Sequence, residues 1–392
     1  MKTAQRLTGI SPFFVMEILA RAKELERQGR DIVHMEIGEP DFPTPPKVQE
    51  AATRALRDVD IKYTPAAGLP ELRKAIAGFY ERKHGISLNH RRIFVTPGAS
   101  GALMLAMGLA LNPGEGVLLA DPSYPCYPNF VRLFGGVPRA LPVDETSEFN
   151  LSAELLNTHW APSDAGIILA SPANPTGSII RPNALRGLIE FVDSRQGFVI
   201  SDEIYHGLEY QASSHTALRY SDQVIVINSF SKYFGMTGWR LGWAVVPESA
   251  IDGAERLAQN LYISAPTLSQ LAALAAFDDE NIEELERRRQ QFAERRDVLC
   301  QGLIALGFLI PAKPEGAFYV YADCSRLTAD SQALALALLE EAGVAVTPGR
   351  DFGLHQPERY LRFCYTASIP RLRQGLDRIA NYLKHHSMTV SS

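Results

Sequence analysis

Residues 224–232 read Val-Ile-Val-Ile-Asn-Ser-Phe-Ser-Lys, and the stretch Tyr-Phe-Gly-Met-Thr-Gly-Trp-Arg follows at 233–240. The apolar, β-branched run is typical of a buried strand. A lysine at the end of such a strand is costly to bury unless it is paired or has a chemical use. One such use is a covalent Schiff base, because a desolvated lysine loses its proton more readily. Taken alone, the stretch fits an exposed loop lysine equally well.

The composition of the 392-residue chain is that of an ordinary globular protein, with 46% hydrophobic and 21% charged residues. Its formal net charge of −5 argues against nucleic acid or an anionic membrane as the main partner. No apolar run approaches the roughly 20 residues that a membrane span needs, and no secretory signal pattern is visible, so we expect a cytoplasmic protein. The four cysteines lack Cys-x-x-Cys spacing, which favours free thiols and argues against a metal site.

Seven short apolar segments predict strands, and helical patterns lie between several of them. Strands that alternate with helices indicate a mostly parallel sheet covered on both faces. The predicted strands are 93–96, 117–120, 137–141, 166–170, 198–201, 224–228 and 241–246. We therefore predict an α/β fold with a large domain at 45–285. Both chain ends, 1–44 and 286–392, are expected to form a smaller α+β domain, because chain ends often meet.

The patterns of the two chain ends predict further elements. A helix is expected at 12–29 with Ser11 as its cap, and a strand at 35–42. A long helix is expected at 281–306 with Asn281 as its cap.

Polar or aromatic residues follow the carboxyl ends of successive predicted strands, which is where ligands bind in open α/β sheets. After the first strand, Gly98-Ala99-Ser100 opens a helix whose free backbone N–H groups suit a phosphate. Tyr124 follows the second strand and can stack on a flat ring, and Asn174 follows the fourth and can donate to a ligand oxygen. In isolation, each also fits an ordinary turn or core residue.

The fifth predicted strand ends at Asp202, whose buried charge needs a partner such as a pyridinium nitrogen or an arginine. Tyr205, three residues on, can place a hydroxyl group near that partner. The next strand is followed by two hydroxyl residues, the lysine and an arginine suited to phosphate, namely Ser229, Ser231, Lys232 and Arg240. Together, these strand ends describe a site for a flat, phosphorylated pyridine aldehyde, the chemistry of pyridoxal phosphate.

The sequence resembles the class I and II aminotransferases, pyridoxal-phosphate enzymes of fold type I, over nearly its whole length. Six motifs carry the resemblance and occur in the family's order. They are Gly-Glu-Pro-Asp-Phe at 38–42, Tyr-Thr-Pro-Ala-Ala-Gly at 63–68, Asn-Pro-Thr-Gly at 174–177, Ser-Asp-Glu-Ile-Tyr at 201–205, Ser-Phe-Ser-Lys at 229–232 and Arg-Tyr-Leu-Arg-Phe at 359–363.

The resemblance implies roles around the cofactor ring. Lys232 would bind the cofactor covalently as a Schiff base and would move the proton between the substrate Cα and the cofactor. Asp202 would keep the pyridine nitrogen protonated, and Tyr124 would stack on the ring. Asn174 and Tyr205 would hydrogen-bond the ring oxygen.

The resemblance also implies phosphate and substrate contacts. The phosphate would be held by Gly98, Ala99, Ser100, Ser229, Ser231 and Arg240. Tyr63 would reach the phosphate of the neighbouring subunit, which implies a homodimer with shared sites. Arg362 would bind the α-carboxylate of the substrate in a bidentate pair, with help from Asn174 and the backbone of Gly38.

The predicted function is that of a transaminase, which moves an amino group between an L-amino acid and a 2-oxo acid by ping-pong kinetics. No second cation for a distal carboxylate can be identified, and the segments 12–15 and 262–268 are uncharged, so we expect neutral donors such as alanine, methionine or aromatic amino acids. Two alternatives stay open. One is a C–S β-lyase or related eliminating enzyme on the same scaffold, and the other is a non-catalytic pyridoxal-phosphate-binding regulator.

Overall fold

The computed structural model describes residues 1–10 and 12–386. Its helices are α1 Phe14–Arg27, α2 Pro46–Asp58, α3 Pro70–His84, α4 Gly98–Ala110, α5 Cys126–Leu133, α6 Ala153–His159, α7 Pro182–Ser194, α8 Ile251–Leu261, α9 Thr267–Ala273, α10 Asp279–Ala305, α11 Ser331–Ala337 and α12 Ile369–His385. Its strands are β1 Val33–His34, β2 Ile93–Thr96, β3 Gly116–Asp121, β4 Val137–Pro142, β5 Asp164–Ala170, β6 Phe198–Asp202, β7 Ile225–Ser229, β8 Gly242–Val245, β9 Tyr319–Asp323, β10 Val344–Ala345, β11 Thr347–Pro348 and β12 Tyr360–Cys364.

A seven-stranded sheet forms the centre of the described chain, in the order β2-β8-β7-β6-β5-β3-β4. All neighbours pair in parallel except β8, which runs antiparallel to both β2 and β7. The prediction of a mostly parallel α/β sheet is therefore confirmed. Each of its seven strands overlaps a segment predicted from the apolar pattern.

The central strands are apolar on both sides because helices cover both faces of the sheet. On β6, Val199 packs into one core cluster and its neighbour Ile200 into the other. On β2, Val95 packs into the same cluster as Val199, and its neighbour Phe94 packs into the same cluster as Ile200. Since successive side chains of a strand point to opposite faces, this division sets the sheet between two apolar layers.

Two smaller sheets lie outside the central one. The antiparallel sheet β11-β12-β9 carries residues 360–364 in its middle strand, and the parallel pair β1-β10 joins the N-terminal part of the chain to its C-terminal part. The expected strand at 35–42 is wrong, since only Val33 and His34 pair as a strand. Pro40 and Pro43 lack the N–H groups that a ladder through this segment would need.

The helix boundaries differ from the prediction at two N-termini. Helix α1 begins at Phe14 rather than at residue 12, and the expected cap, Ser11, lies outside the described residues. Helix α10 begins at Asp279, and the side chain of Asn281 donates to the carbonyl oxygen of Ala276 instead of capping the helix. The domain boundaries at 45 and 285 stay a prediction. Among the described residues, no helix is long and apolar enough to cross a membrane.

Candidate active site

A cavity of about 580 Å³ lies where β2, β3, β5, β6 and β7 end. Most of the residues selected from the sequence line this one space. These are Gly38, Ala99, Ser100, Tyr124, Asn174, Asp202, Tyr205, Ser231, Lys232, Arg240 and Arg362. The positions of the strand ends therefore bring together residues from all parts of the chain.

Lys232 lies three residues beyond the end of β7 and is largely shielded from water. Its Nζ donates to the carbonyl oxygen of Gly38 at 2.7 Å and lies 5.7 Å from the centre of the Phe318 ring. Desolvation lowers the pKa of Lys232 to about 8, although the negative charge of Glu39 acts in the opposite direction. The neutral, nucleophilic fraction of the amine near neutral pH is therefore much larger than that of an ordinary lysine, although the protonated form still predominates.

Asp202 ends β6 and is 3% exposed. Its Oδ2 accepts a hydrogen bond from the Tyr127 hydroxyl at 2.7 Å, and its Oδ1 accepts one from the Ile204 N–H at 3.1 Å. Burial raises the pKa of Asp202 to about 6, while both hydrogen bonds and the charge of Lys232 favour the ionised form. A cationic nitrogen beside the ionised carboxylate would be stabilised by an ion-pair interaction that the low-dielectric surroundings strengthen.

Tyr127 is a site residue that the sequence interpretation missed. It lies in the first turn of α5, three residues after Tyr124, and the two rings pack edge to face at 5.3 Å. The three-residue spacing of tyrosines at a helix start could have suggested that both side chains point toward the same region.

Two polar contacts join the sheet edge to the antiparallel sheet. The hydroxyl groups of Tyr205 and Tyr319 share a hydrogen bond of 2.7 Å. Asn174 accepts a hydrogen bond from Nη1 of Arg362 at 2.9 Å through its Oδ1 atom. The amide nitrogen of Asn174 has no protein partner within the described residues, so it can donate to a ligand oxygen. Tyr319 also escaped the sequence interpretation, since it is the first residue of β9 and does not follow the end of a strand of the central sheet.

The start of α4 and Arg240 form one end of the cavity. Gly98 has a φ of +71°, and a Cβ atom there would lie 2.6 Å from Nη2 of Arg240, so only glycine allows this close approach. Arg240 itself has a φ of +52°. The N–H groups at a helix start and a guanidinium together suit a phosphate, with Ala99 and Ser100 facing the cavity.

Three predicted residues lie outside the cavity lining. Ser229 is buried behind it; its hydroxyl donates to the Leu241 carbonyl oxygen at 3.1 Å and lies at hydrogen-bond distance, 3.0 Å, from Ser231 Oγ. Gly98 lies at the start of α4, where its missing side chain leaves room for the Arg240 guanidinium. Tyr63 is 81% exposed and does not reach the cavity of its own chain.

Arg362 lies in β12, the middle strand of the antiparallel sheet, and is 2% exposed. Its guanidinium donates to Asn174 and to the carbonyl oxygen of Glu36, and it lies over the rings of Tyr319 and Phe352 at 4.4 and 4.7 Å. Among the described residues it has no carboxylate partner within ion-pair distance, and its Nε has no hydrogen-bond partner. A buried cation in this state suits an anionic ligand.

The donor set fits pyridoxal phosphate. An aldehyde needs a partly neutral amine, which Lys232 supplies, and a pyridinium nitrogen needs a buried acid, which Asp202 supplies. A phosphate needs the cradle that Gly98 keeps open beside Arg240. Tyr124 offers an aromatic face in the same cavity. Each part of the cofactor therefore has a matching group.

Comparison with known proteins gives the same result. Residues 30–379 match the family described as aminotransferase class I and II. The valine–pyruvate aminotransferase of Mycobacterium tuberculosis is 38% identical over 377 residues, which cover 96% of this chain and 97% of that protein. The aspartate/prephenate aminotransferase of Thermus thermophilus is 36% identical over 383 residues, which cover 97% and 98%.

The fold comparison adds a solved structure. The crystal structure of an aminotransferase from Mycobacterium tuberculosis superposes with a TM-score of 0.95 at 38% identity and covers 98% of this chain and 100% of that chain. The chain therefore belongs to the class I and II aminotransferases, and it is a pyridoxal-phosphate-dependent transaminase of the aspartate aminotransferase-like fold type I.

Proposed function

We propose that this transaminase takes a neutral L-amino acid, such as alanine, methionine or an aromatic amino acid, as its donor and works by a ping-pong mechanism. The observation that carries the proposal is the charge of the cavity lining within the described residues. It includes three cations, of which Lys232 and Arg240 lie on the cofactor side. Only Arg362 is then left for the substrate, and it is suited to the α-carboxylate.

The remaining lining near the start of α1 is apolar, with Phe13, Val15, Met16 and Ile37. Besides Asp202, the described cavity lining includes the acidic residue Glu39, which would repel a second carboxylate of the substrate. A dicarboxylate bound here would therefore leave one charge without a partner, and that is costly in a shielded site. A neutral side chain avoids this cost and gains apolar contact.

The names of the relatives point in two directions. The 38% identical relative is named for valine and pyruvate, which have uncharged side chains, and this supports the proposal. The relative from Thermus thermophilus is named for aspartate and prephenate, each of which carries a second carboxylate. The similarity is comparable in the two cases, so the charge of the cavity is the stronger argument.

The proposed mechanism assigns one task to each residue. When bound, pyridoxal phosphate supplies an aldehyde for covalent attachment and a ring that withdraws electrons from the substrate Cα. Arg362 and Asn174 orient the α-carboxylate, and Lys232 Nζ takes the proton that leaves the Cα atom. Asp202 would keep a proton on the ring nitrogen, because its carboxylate would accept the hydrogen bond that this N–H donates. Tyr205 would donate to the ring oxygen.

Further residues hold the cofactor in place. Tyr124 would stack on the ring. The phosphate would be bound by the backbone N–H groups at the start of α4, at Gly98, Ala99 and Ser100, and by Ser231 and Arg240. Ser229, which the resemblance also implies, would support Ser231 from behind the cavity rather than contact the phosphate itself. Gly38 positions the substrate through its backbone, which already contacts Lys232.

We also propose a homodimer in which Tyr63 completes the phosphate site of the partner. Residues around Tyr63 expose apolar side chains, namely Leu56, Val59, Ile61, Leu261 and Ile263. The two segments adjoin, since Thr267 Oγ1 donates to the carbonyl oxygen of Lys62 at 2.6 Å. A group of exposed apolar side chains is typical of a surface that another protein chain covers, which supports the proposed dimer interface.

A donor panel tests the substrate proposal. The absorbance change of the bound cofactor is followed after adding alanine, valine, methionine, phenylalanine, aspartate or glutamate without an oxo acid. We expect a neutral donor to exceed aspartate by about tenfold or more in kcat/KM. A preference for aspartate or glutamate would contradict the proposal. Release of ammonia from cystathionine without an acceptor would instead support the eliminating alternative.

A further inference from the structure

Helix α1 is not capped by the side chain of the residue that precedes it. The N-cap position is Phe13, whose side chain accepts no hydrogen bond. The first N–H groups of a helix have no partner within the helix, and they need an acceptor from elsewhere. In this protein the acceptor comes from a segment more than 330 residues away. The Asp351 carboxylate accepts from the Phe14 N–H at 2.9 Å and from the Val15 N–H at 3.4 Å.

This cap is shielded and charged. Asp351 is 7% exposed, and it lies directly before Phe352, whose ring packs against the Arg362 guanidinium at 4.7 Å. A negative charge at the positive end of a helix stabilises that helix. The interaction between the charge and the helix dipole is stronger where water is excluded. The neighbouring Arg350 adds a second contact, since its guanidinium lies 4.4 Å from the centre of the Phe14 ring.

The same segment is also fixed to the central sheet. The N–H of Leu354 donates to both oxygens of Asp121 at 2.9 and 3.1 Å, and the N–H of Ser123 donates to the Phe352 carbonyl oxygen at 2.9 Å. Asp121 is the last residue of β3. Residues 350–354 therefore connect the end of a central strand, the strand that carries Arg362 and the start of α1.

The turn that Asp351 caps lies over the active site. Residues 13–16, which we call the α1 start, contribute Phe13, Val15 and Met16 to the cavity lining. The Phe13 ring packs edge to face on Tyr124 at 6.3 Å. We propose that Asp351 is a positioning residue that fixes the α1 start over the cavity and thereby sets how tightly the substrate side chain is held. This rests on the proposed function, in which the apolar end of the cavity receives that side chain.

The test compares Asp351→Ala with Asp351→Asn and with a matched control. Asp330→Ala is the control, because Asp330 caps α11 by accepting from the N–H groups of Gln332 and Ala333 and does not line the cavity. Both alanine variants lose a helix cap, but only one of these caps holds residues of the active site. Asparagine keeps one acceptor oxygen for the Phe14 N–H, but it lacks the charge and the second oxygen that accepts from the Val15 N–H.

Two measurements are made on the holoenzyme. Hydrogen–deuterium exchange reports the opening of the α1 start without any substrate, and half-reaction kinetics with the amino acid that the wild type converts best give kcat and KM. In Asp351→Ala we expect amide exchange at residues 14–15 to quicken about five- to thirty-fold, and KM to rise by a similar factor with kcat nearly unchanged. Asp330→Ala should stay within about threefold of the wild type in both, and Asp351→Asn should fall between the wild type and Asp351→Ala.

Unchanged exchange in Asp351→Ala, or faster exchange with an unchanged KM, would overturn the proposal. If Asp351→Ala does not fold, Asp351→Ser takes its place, because its shorter hydroxyl cannot serve both N–H groups. The exchange measurement does not depend on which amino acid is the donor. A failure of the neutral-donor proposal would therefore show in the donor panel and leave this test intact.

Discussion

The hydroxyl group of Tyr127 donates to Oδ2 of Asp202 at 2.7 Å, and both side chains are buried. The bond favours the ionised carboxylate, although burial raises the pKa of Asp202 to about 6. In the proposed mechanism, Asp202 faces the cofactor ring nitrogen. We therefore expect Tyr127 to act through Asp202 rather than by direct contact with the substrate.

Replacing Tyr127 by phenylalanine should weaken cofactor binding. A hydrogen bond to a charged group is worth about 1.5–3 kcal/mol, so we expect the Kd for pyridoxal phosphate to rise about ten- to hundredfold. Cofactor fluorescence quenching during titration of the apoenzyme measures this. Tyr124→Phe is the matched control, since it keeps the stacking ring and its hydroxyl does not contact Asp202. Equal Kd values for the two variants would refute the role of the Tyr127 hydroxyl.

Replacing Arg362 by lysine should raise KM more than it lowers kcat. Lysine keeps the charge but cannot form the two parallel bonds that a guanidinium gives to a carboxylate. We expect KM for the amino donor to rise about ten- to hundredfold. Steady-state kinetics check this, with Arg359→Lys as the control, because Arg359 pairs with Asp323 outside the cavity. A KM equal to that of the wild type would count against the carboxylate assignment.

A mixed dimer should reveal whether Tyr63 acts in the partner's site. Lys232→Ala and Tyr63→Ala are each expected to be inactive or weak as pure proteins, because one lacks the nucleophile and the other a phosphate contact. If Tyr63 acts across the interface, each mixed dimer contains one intact site. Random reassembly should then restore about a quarter of the wild-type activity. No gain on mixing would place Tyr63 in its own subunit's site or outside both.

The stability of the apoenzyme should depend on pH through Lys232. Its pKa is lowered from 10.5 to about 8 in the folded protein, so the unfolded chain binds more protons between these values. The cost of the buried charge is fully present below pH 8 and disappears as the pH rises toward 10.5. Relative to Lys232→Met, which carries no charge, the wild type should thus gain in Tm across this window. Calorimetry of both apoproteins measures it, and a constant difference would contradict the desolvation of Lys232.

The apolar pattern predicted the central sheet because buried parallel strands are nearly continuous runs of β-branched residues. All seven segments of this kind became strands. The short pair at Val33 and Val344 could not be predicted, because two-residue strands have no periodicity to detect. Residues 35–42 were expected to form a strand, but Pro40 in this segment and Pro43 after it cannot donate ladder hydrogen bonds, and Gly38 instead contacts Lys232 at the cavity.

The cofactor side of the candidate site was accessible from the sequence, since its residues directly follow strand ends and match family motifs. Its supporting groups were not. Tyr127 and Asp351 act on atoms that are 75 and more than 330 residues away, and no local pattern encodes such contacts. For this reason the candidate cofactor-binding residues could be named from the sequence, whereas the residues that hold them in place required the structure.

The contact between Arg362 and the Glu36 carbonyl oxygen has a consequence for how the protein is made. The central sheet is complete once the chain has been synthesised to β8, and with it the groups for the phosphate and the ring. Arg362, to which we assign the substrate carboxylate, is synthesised more than one hundred residues after β8, whereas its acceptor Glu36 is synthesised before the central sheet. We therefore expect a nascent chain that is stalled after β8 to bind the cofactor before it can bind an amino acid substrate.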